Sequence, residues 1–259
     1  MSHGFDSYYG IPYSNDMDKI STIESRTALM NPRIEYFQVP LMRNADVIER
    51  PADQTTSVKR YTQKAVNYIN ANKRKPFFLY MAHSLPHVPL FVSDEFKGQS
   101  ERGLYGDVIQ EIAWSVGQIL NTLRKEGLDK NTYVIFTSDN DPWVVFDENS
   151  GSAGPLFGGK RTGYEGGVRV PAIFWGQRLL NWVLERLLLL PQRPPMGSVF
   201  QMVKPTLTRC RWKRIMTLIL WIATDYPRSS MRKQHAASSD GPALQALNLI
   251  VFANGSRSR

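Results

Sequence analysis

One cysteine in 259 residues, Cys210, leaves no partner for an internal disulfide and no set of thiolates for a structural zinc site. Acidic residues are scarce at one end only. Residues 177–259 hold 13 Lys and Arg against Glu185, Asp225 and Asp240, a net +10, whereas residues 1–176 sum to −1. The overall charge of +9 therefore belongs to one segment, and no specific nucleic-acid recognition is expected from it. Long apolar runs are missing as well. The two most apolar stretches, 179–190 and 215–223, fall short of the ~20 residues that cross a bilayer, and Glu185 and Arg186 interrupt the first. Residues 1–6 have neither a basic nor an apolar leader character, so no secretory signal and no export route are expected; the compartment stays open.

What is present points to an α/β core. Val58, Tyr61, Ala65, Tyr68 and Ile69 recur at helical spacing, with Asp53 or Thr55 placed to accept the first free backbone N–H groups. Pro76 stops that pattern, and the apolar run 77–82 has the length and character of a strand covered on both faces. The alternation repeats. Ile109, Ile112, Val116, Ile119, Leu120 and Leu123 mark a second helix that Gly127 should end, and a second buried strand follows over 132–137. A third strand is predicted over 168–175 and a short one over 34–39. Helix alternating with apolar strand favours a mostly parallel sheet covered by helices, whose reactive groups collect at the carboxyl ends of the strands. After Gly176 the pattern dissolves into a Leu-, Arg-, Pro- and Ser-rich segment without capped alternation. Residues 177–259 therefore read as a basic, irregular tail, either a natural appendage or the product of a reading-frame shift.

Three strand ends deliver polar groups. In Met81-Ala82-His83-Ser84-Leu85-Pro86-His87-Val88-Pro89, two histidines flank a rigid turn, and an imidazole there can protonate a leaving oxygen near neutral pH. Thr137-Ser138-Asp139-Asn140-Asp141 offers hard oxygen ligands suited to Ca2+ or Mg2+. In Gly158-Gly159-Lys160-Arg161-Thr162-Gly163-Tyr164-Glu165-Gly166-Gly167, glycines let the backbone approach an anion and Lys160 supplies a point charge, without the spacing of a Walker loop. Each signal has a plain alternative when taken singly: histidines hydrogen-bonded at a strand end, Asp and Asn as turn formers, a flexible glycine loop.

Taken together and in this order, the segments resemble the sulfatase family, most closely its arylsulfatase A and N-acetylgalactosamine-6-sulfatase branch. The resemblance runs from Gly4 to about Trp175, through Gly-Phe-Asp-Ser-Tyr-Tyr-Gly-Ile-Pro-Tyr-Ser-Asn-Asp, Pro-Phe-Phe-Leu-Tyr-Met-Ala-His-Ser-Leu-Pro-His-Val-Pro, Val-Ile-Phe-Thr-Ser-Asp-Asn and Gly-Tyr-Glu-Gly-Gly-Val-Arg-Val-Pro. It implies an alkaline-phosphatase-like core, incomplete in this chain, with residues 1–176 as a partial catalytic domain. It further implies sulfuric ester hydrolysis on an aryl sulfate or sulfated sugar. Asp139 and Asn140 are similar to Ca2+ ligands, and His87 to the group that binds the ester oxygen and protonates the alcohol. Lys160 is similar to the lysine that holds the sulfate, and Ser14 to a serine lining the substrate pocket.

The departures from the family pattern carry expectations of their own. The family's nucleophile is a formylglycine made from the cysteine of a Cys-x-Pro/Ala-x-Arg motif upstream of every segment matched here. That motif, the paired aspartate of the metal site and a Lys and His beside the nucleophile have no counterpart in the 259 residues. Cys210 has Arg214 four residues on, but Trp212 stands in place of Pro or Ala, and the position lies downstream of the other motifs. Asp141 replaces the glycine usual after Asp-Asn. The chain is accordingly expected to be an N-terminally truncated piece without meaningful turnover and with weak Ca2+ binding. The alternative is a noncatalytic protein that binds anions or sulfated glycans.

Overall fold

A computed structural model describes residues 4–176, 218–219 and 246–253. Its elements in chain order are β1 (Tyr9–Gly10), α1 (Ser25–Met30), β2 (Leu41–Arg43), β3 (Asp46–Glu49), α2 (Ser57–Asn72), β4 (Phe77–Pro86), α3 (Gly103–Lys125), β5 (Thr132–Ser138), α4 (Glu165–Val168), β6 (Ala172–Trp175), β7 (Leu218–Ile219) and β8 (Ala246–Ala253). The two long helices fall where their apolar spacing predicts. Asp53 accepts the Thr55 N–H at 3.1 Å ahead of α2, whose Val58, Tyr61, Ala65 and Ile69 are buried. At the end of α3, Gly127 adopts φ +67°, its N–H reaches the Arg124 carbonyl at 3.1 Å, and Leu128 reaches Leu123 at 2.9 Å. This double closure needs the left-handed conformation that glycine adopts without a Cβ clash.

Strands β1, β2 and β3 form a small antiparallel sheet, and the main sheet has the order β4-β8-β5-β6-β7. The mostly parallel pairing predicted for it is corrected by the strand registers, because every pairing runs antiparallel. β4 and β5 do point the same way, as two helix–strand units should, but β8 lies between them in the opposite sense. Leu249 faces Met81 on one side and Phe136 on the other, and Val251 faces Leu79 and Val134. Both β8 side chains are fully buried, in one core with Ile69 of α2 and Ile119 and Leu123 of α3. Eight residues of the segment predicted to be an irregular tail thus form a central strand. The apolar stretch 179–190, Cys210 and the junction after Gly176 lie outside the described residues.

Three further predictions are corrected. The strand expected over 34–39 is instead a single 3-10 turn at Ile34–Tyr36, and Phe37 and Val39 bury themselves beside Ala28 and Phe91 rather than pair in a sheet. The strand expected from Val168 begins at Ala172, because Glu165–Val168 is helical and Pro171 has no N–H to give to a ladder. Cover on both faces is not what the described residues provide. α2 and α3 pack on one face of β4 and β8, and Phe78, Tyr80 and Phe252 stand exposed on the other, with the Phe78 and Phe252 rings 4.9 Å apart. No helix among the described residues is long and apolar enough to cross a membrane.

His83 follows the buried face of β4. It is 0% exposed, and neither ring nitrogen has a hydrogen-bond partner among the described residues. Burial pulls its imidazole down to about 4, so the folded protein keeps it neutral where the unfolded chain already binds a proton. Stability from this residue is therefore full above about 6.5 and is lost as the pH falls towards 4. His83→Leu should flatten the thermal-melt profile across that window relative to the parent; an unchanged difference between the two profiles would show that His83 is not buried neutral. The position of β8 predicts that ending the chain after residue 245 abolishes cooperative melting and promotes aggregation, because the facing edges of β4 and β5 lose their partner. A truncated chain that melts like the full one would remove β8 from the folded core.

Candidate active site

β4 carries the chain into the turn around His87, which is 2% exposed. Nδ1 lies 2.5 Å from the Val88 carbonyl, which can only accept, so Nδ1 carries the hydrogen. The turn is tied to the N-terminal segment through Asn15, whose amide donates to the carbonyls of Pro89 (2.9 Å) and His87 (3.4 Å). Gln54 donates in turn to the Asn15 carbonyl at 3.2 Å. These bonds hold the buried Ser14, the residue before Asn15, beside the His87 turn.

At the end of β5, the Asn140 N–H donates to Asp139 Oδ1 (3.0 Å) and the Ser138 hydroxyl to the Asn140 carbonyl (2.7 Å), which tightens the turn that presents Asp139 and Asn140. Asp141 is buried, and burial raises its carboxyl to about 6. A glycine there would carry no such group. The Pro142 carbonyl then accepts the Lys160 N–H at 2.9 Å, which joins the glycine loop to the β5 turn. That approach requires Gly159, since a Cβ on it would sit 2.7 Å from the same Pro142 oxygen.

Lys160 is 5% exposed. Burial lowers its ammonium to about 8, against the carboxylates of Asp139 and Asp16, which favour the charge, while the Arg161 guanidinium opposes it. These influences place Lys160 near Asp139 and near Asp16. Trp143 was not foreseen, and it organises the site. Lys160 Nζ lies 5.0 Å and Arg161 Cζ 5.6 Å from its ring centre, and the His87 ring is 6.0 Å away. Phe146 holds the indole edge-on at 4.7 Å. The structure therefore brings His87 and Lys160 onto Trp143 with Asp139 near Lys160, Asn140 following in the Asp139 turn; Ser14 is linked to them only through its neighbour Asn15. An aromatic residue in the β5 turn, next to predicted polar groups, was the available sequence signal for Trp143.

A buried ammonium, a guanidinium and an imidazole around one indole are the groups that could attract an oxyanion and deliver a proton to its bridging oxygen. The case for a metal is thinner. Asp139 and Asn140 have the hard oxygens that Ca2+ takes, but two side chains are few for an ion that takes about 6–8 ligands. Among the described residues, no group of three or more His, Cys, Asp or Glu is placed to hold a metal. Asp139 and Asn140 alone would leave most of a Ca2+ coordination sphere to other groups.

The Sulfatase family profile matches residues 1–181. The chain belongs to the sulfatase family. N-acetylgalactosamine-6-sulfatase of Mus musculus is 37% identical over 184 residues, which are 68% of this chain and 34% of the mouse protein. Steryl-sulfatase of Homo sapiens is 38% identical over 157 residues, 57% of this chain and 27% of the human one. The crystal structure of Ps i-CgsB in complex with k-i-k-neocarrahexaose superimposes with a TM-score of 0.51 at 27% identity, over 68% of this chain and 40% of that one. The fold is thus the alkaline-phosphatase-like one of sulfatases, present in part, and the chain spans about a third of the length of the curated relatives it matches.

The lowered proton affinity of Lys160 in this sulfatase chain predicts a pH dependence for anion binding. Affinity for inorganic sulfate, measured by calorimetry, should be highest below about 8 and fall as the pH rises through that value, because the ammonium that attracts the anion loses its proton. Lys160→Met should be weak throughout. A parent affinity that stays level across this range would exclude Lys160 as the anion-binding cation.

Proposed function

We propose that this chain contributes the sulfate-binding and leaving-group half of a sulfuric ester hydrolase site. Lys160 holds the sulfate, His87 protonates the departing alcohol from Nε2, and Ser14 lines the pocket. The observation that carries this reading is the meeting of Lys160 and His87 on Trp143 beside Asp139. A cation at the non-bridging oxygens and an acid at the bridging oxygen are the two supports that scission of an S–O ester bond needs. The substrate class is a sulfate ester of an aryl alcohol or a sugar.

In the family, formylglycine supplies the attack on sulfur and Ca2+ neutralises the sulfate oxygens. This sequence has no Cys-x-Pro/Ala-x-Arg motif, so these 259 residues bind the ester without turning it over. Asp139 and Asn140 would contribute two ligands to Ca2+ and bind it weakly. The purified chain should show no hydrolysis of a chromogenic aryl sulfate above blank, with or without Ca2+. Titrated with Ca2+ alone, it should bind no tighter than about millimolar, since affinity follows the number of charged ligands in a rigid site. Turnover above blank would refute the inactive reading, and micromolar Ca2+ binding would refute the two-ligand site.

The +10 charge of residues 177–259 favours one second reading, a noncatalytic binder of sulfated glycans. Salt-sensitive glycan binding that disappears when the chain ends at Gly176, and is indifferent to Lys160→Met, would select it over the first.

A further inference from the structure

Lys160 and Arg161 occupy the two central positions of one tight turn, closed by the Thr162 N–H donating to the Gly159 carbonyl at 3.1 Å. Arg161, the third residue of that turn, has φ +73°. A turn with positive φ at its third position normally places glycine there, because a Cβ in that conformation crowds the backbone. Glycines occupy positive-φ sites elsewhere in the same loop, at Gly154 and Gly158. Arginine at this position is thus kept against the conformational preference of the turn, which points to a use for its side chain.

That side chain is exposed, leans on the Trp143 ring at 5.6 Å, and has no salt bridge among the described residues. Its neighbour on the same ring is the buried Lys160. The Arg161 guanidinium opposes the charge on Lys160, which the carboxylates of Asp139 and Asp16 favour, and no such carboxylate forms a salt bridge with Arg161 among the described residues. The two cations differ in depth. Lys160 is buried, whereas Arg161 stands exposed beside it, with a planar fork suited to a carboxylate or sulfate.

We propose that Arg161 is a specificity-determining residue that reads a second anionic group on the sulfate ester, so that the favoured ligand is a polyanionic sulfated saccharide rather than a simple aryl sulfate. This rests on the anion-site reading of Lys160. Trp143 sets the spacing between the two anions by carrying both cations.

The test titrates the full chain by calorimetry with inorganic sulfate, a monosulfated disaccharide and its disulfated counterpart. The parent should prefer the disulfated sugar by about tenfold, the scale of one charge-assisted contact. Arg161→Gln should bring that preference close to unity. Arg161→Gly, which suits the positive φ and so guards against a folding artefact, should do the same, and Arg161→Lys should restore part of it. A preference that survives in both the Gln and Gly variants, or a parent without one, overturns the role of Arg161. Failure of the parent to bind any of the three ligands is a different result: it sinks the anion site itself and this assignment with it.

Discussion

β4 and β5 are held together through β8, and the His87 and Asp139 turns hang from the ends of those two strands. Because β4 and β5 run the same way with one strand between them, the His87 turn and the Asp139 turn leave the sheet on the same side. The intervening slot must be filled by apolar residues that satisfy two hydrogen-bonded edges at once. Leu249 and Val251, fully buried, do this from the far end of the chain. Without a strand there, the two turns would have no fixed separation and the pocket no fixed width.

Above the sheet, the site is a compromise between burial and charge. Placing an ammonium where Lys160 sits is unfavourable, and its lowered proton affinity records that. Asp139, Asp16 and the face of Trp143 offset the loss, and the backbone of the glycine loop can come close enough only because Gly159 lacks a Cβ. The same burial works against Asp141, whose carboxyl is driven towards its neutral form in the turn that presents the metal-type ligands. Both effects come from one feature, the exclusion of water from the join between the β5 turn and the glycine loop.

Periodicity made the two long helices legible, and Gly127 marked the stop of α3, because those signals are local. The segments that carry His87, Asp139, Asn140 and Lys160 were legible as motifs whose order along the chain resembles the sulfatase family. Long-range facts were not. Nothing in Ala246–Ala253 announces that it inserts between strands more than a hundred residues upstream, and strand sense depends on that pairing rather than on local composition. The segment 34–39 looks like a strand because its apolar residues serve a satellite core instead of a ladder. Trp143 was missed because its role exists only once two distant loops fold against its ring.

The central claim is that imidazole and ammonium face one tetrahedral anion in a shared pocket. A crystal structure of the full chain soaked in tungstate, a heavy mimic of sulfate, tests it directly. The account predicts metal-oxide density within hydrogen-bonding distance of both Lys160 Nζ and His87 Nε2, next to Trp143. Tungstate bound only along the basic residues after 176, with the pocket between Lys160 and His87 closed to it, would contradict the account.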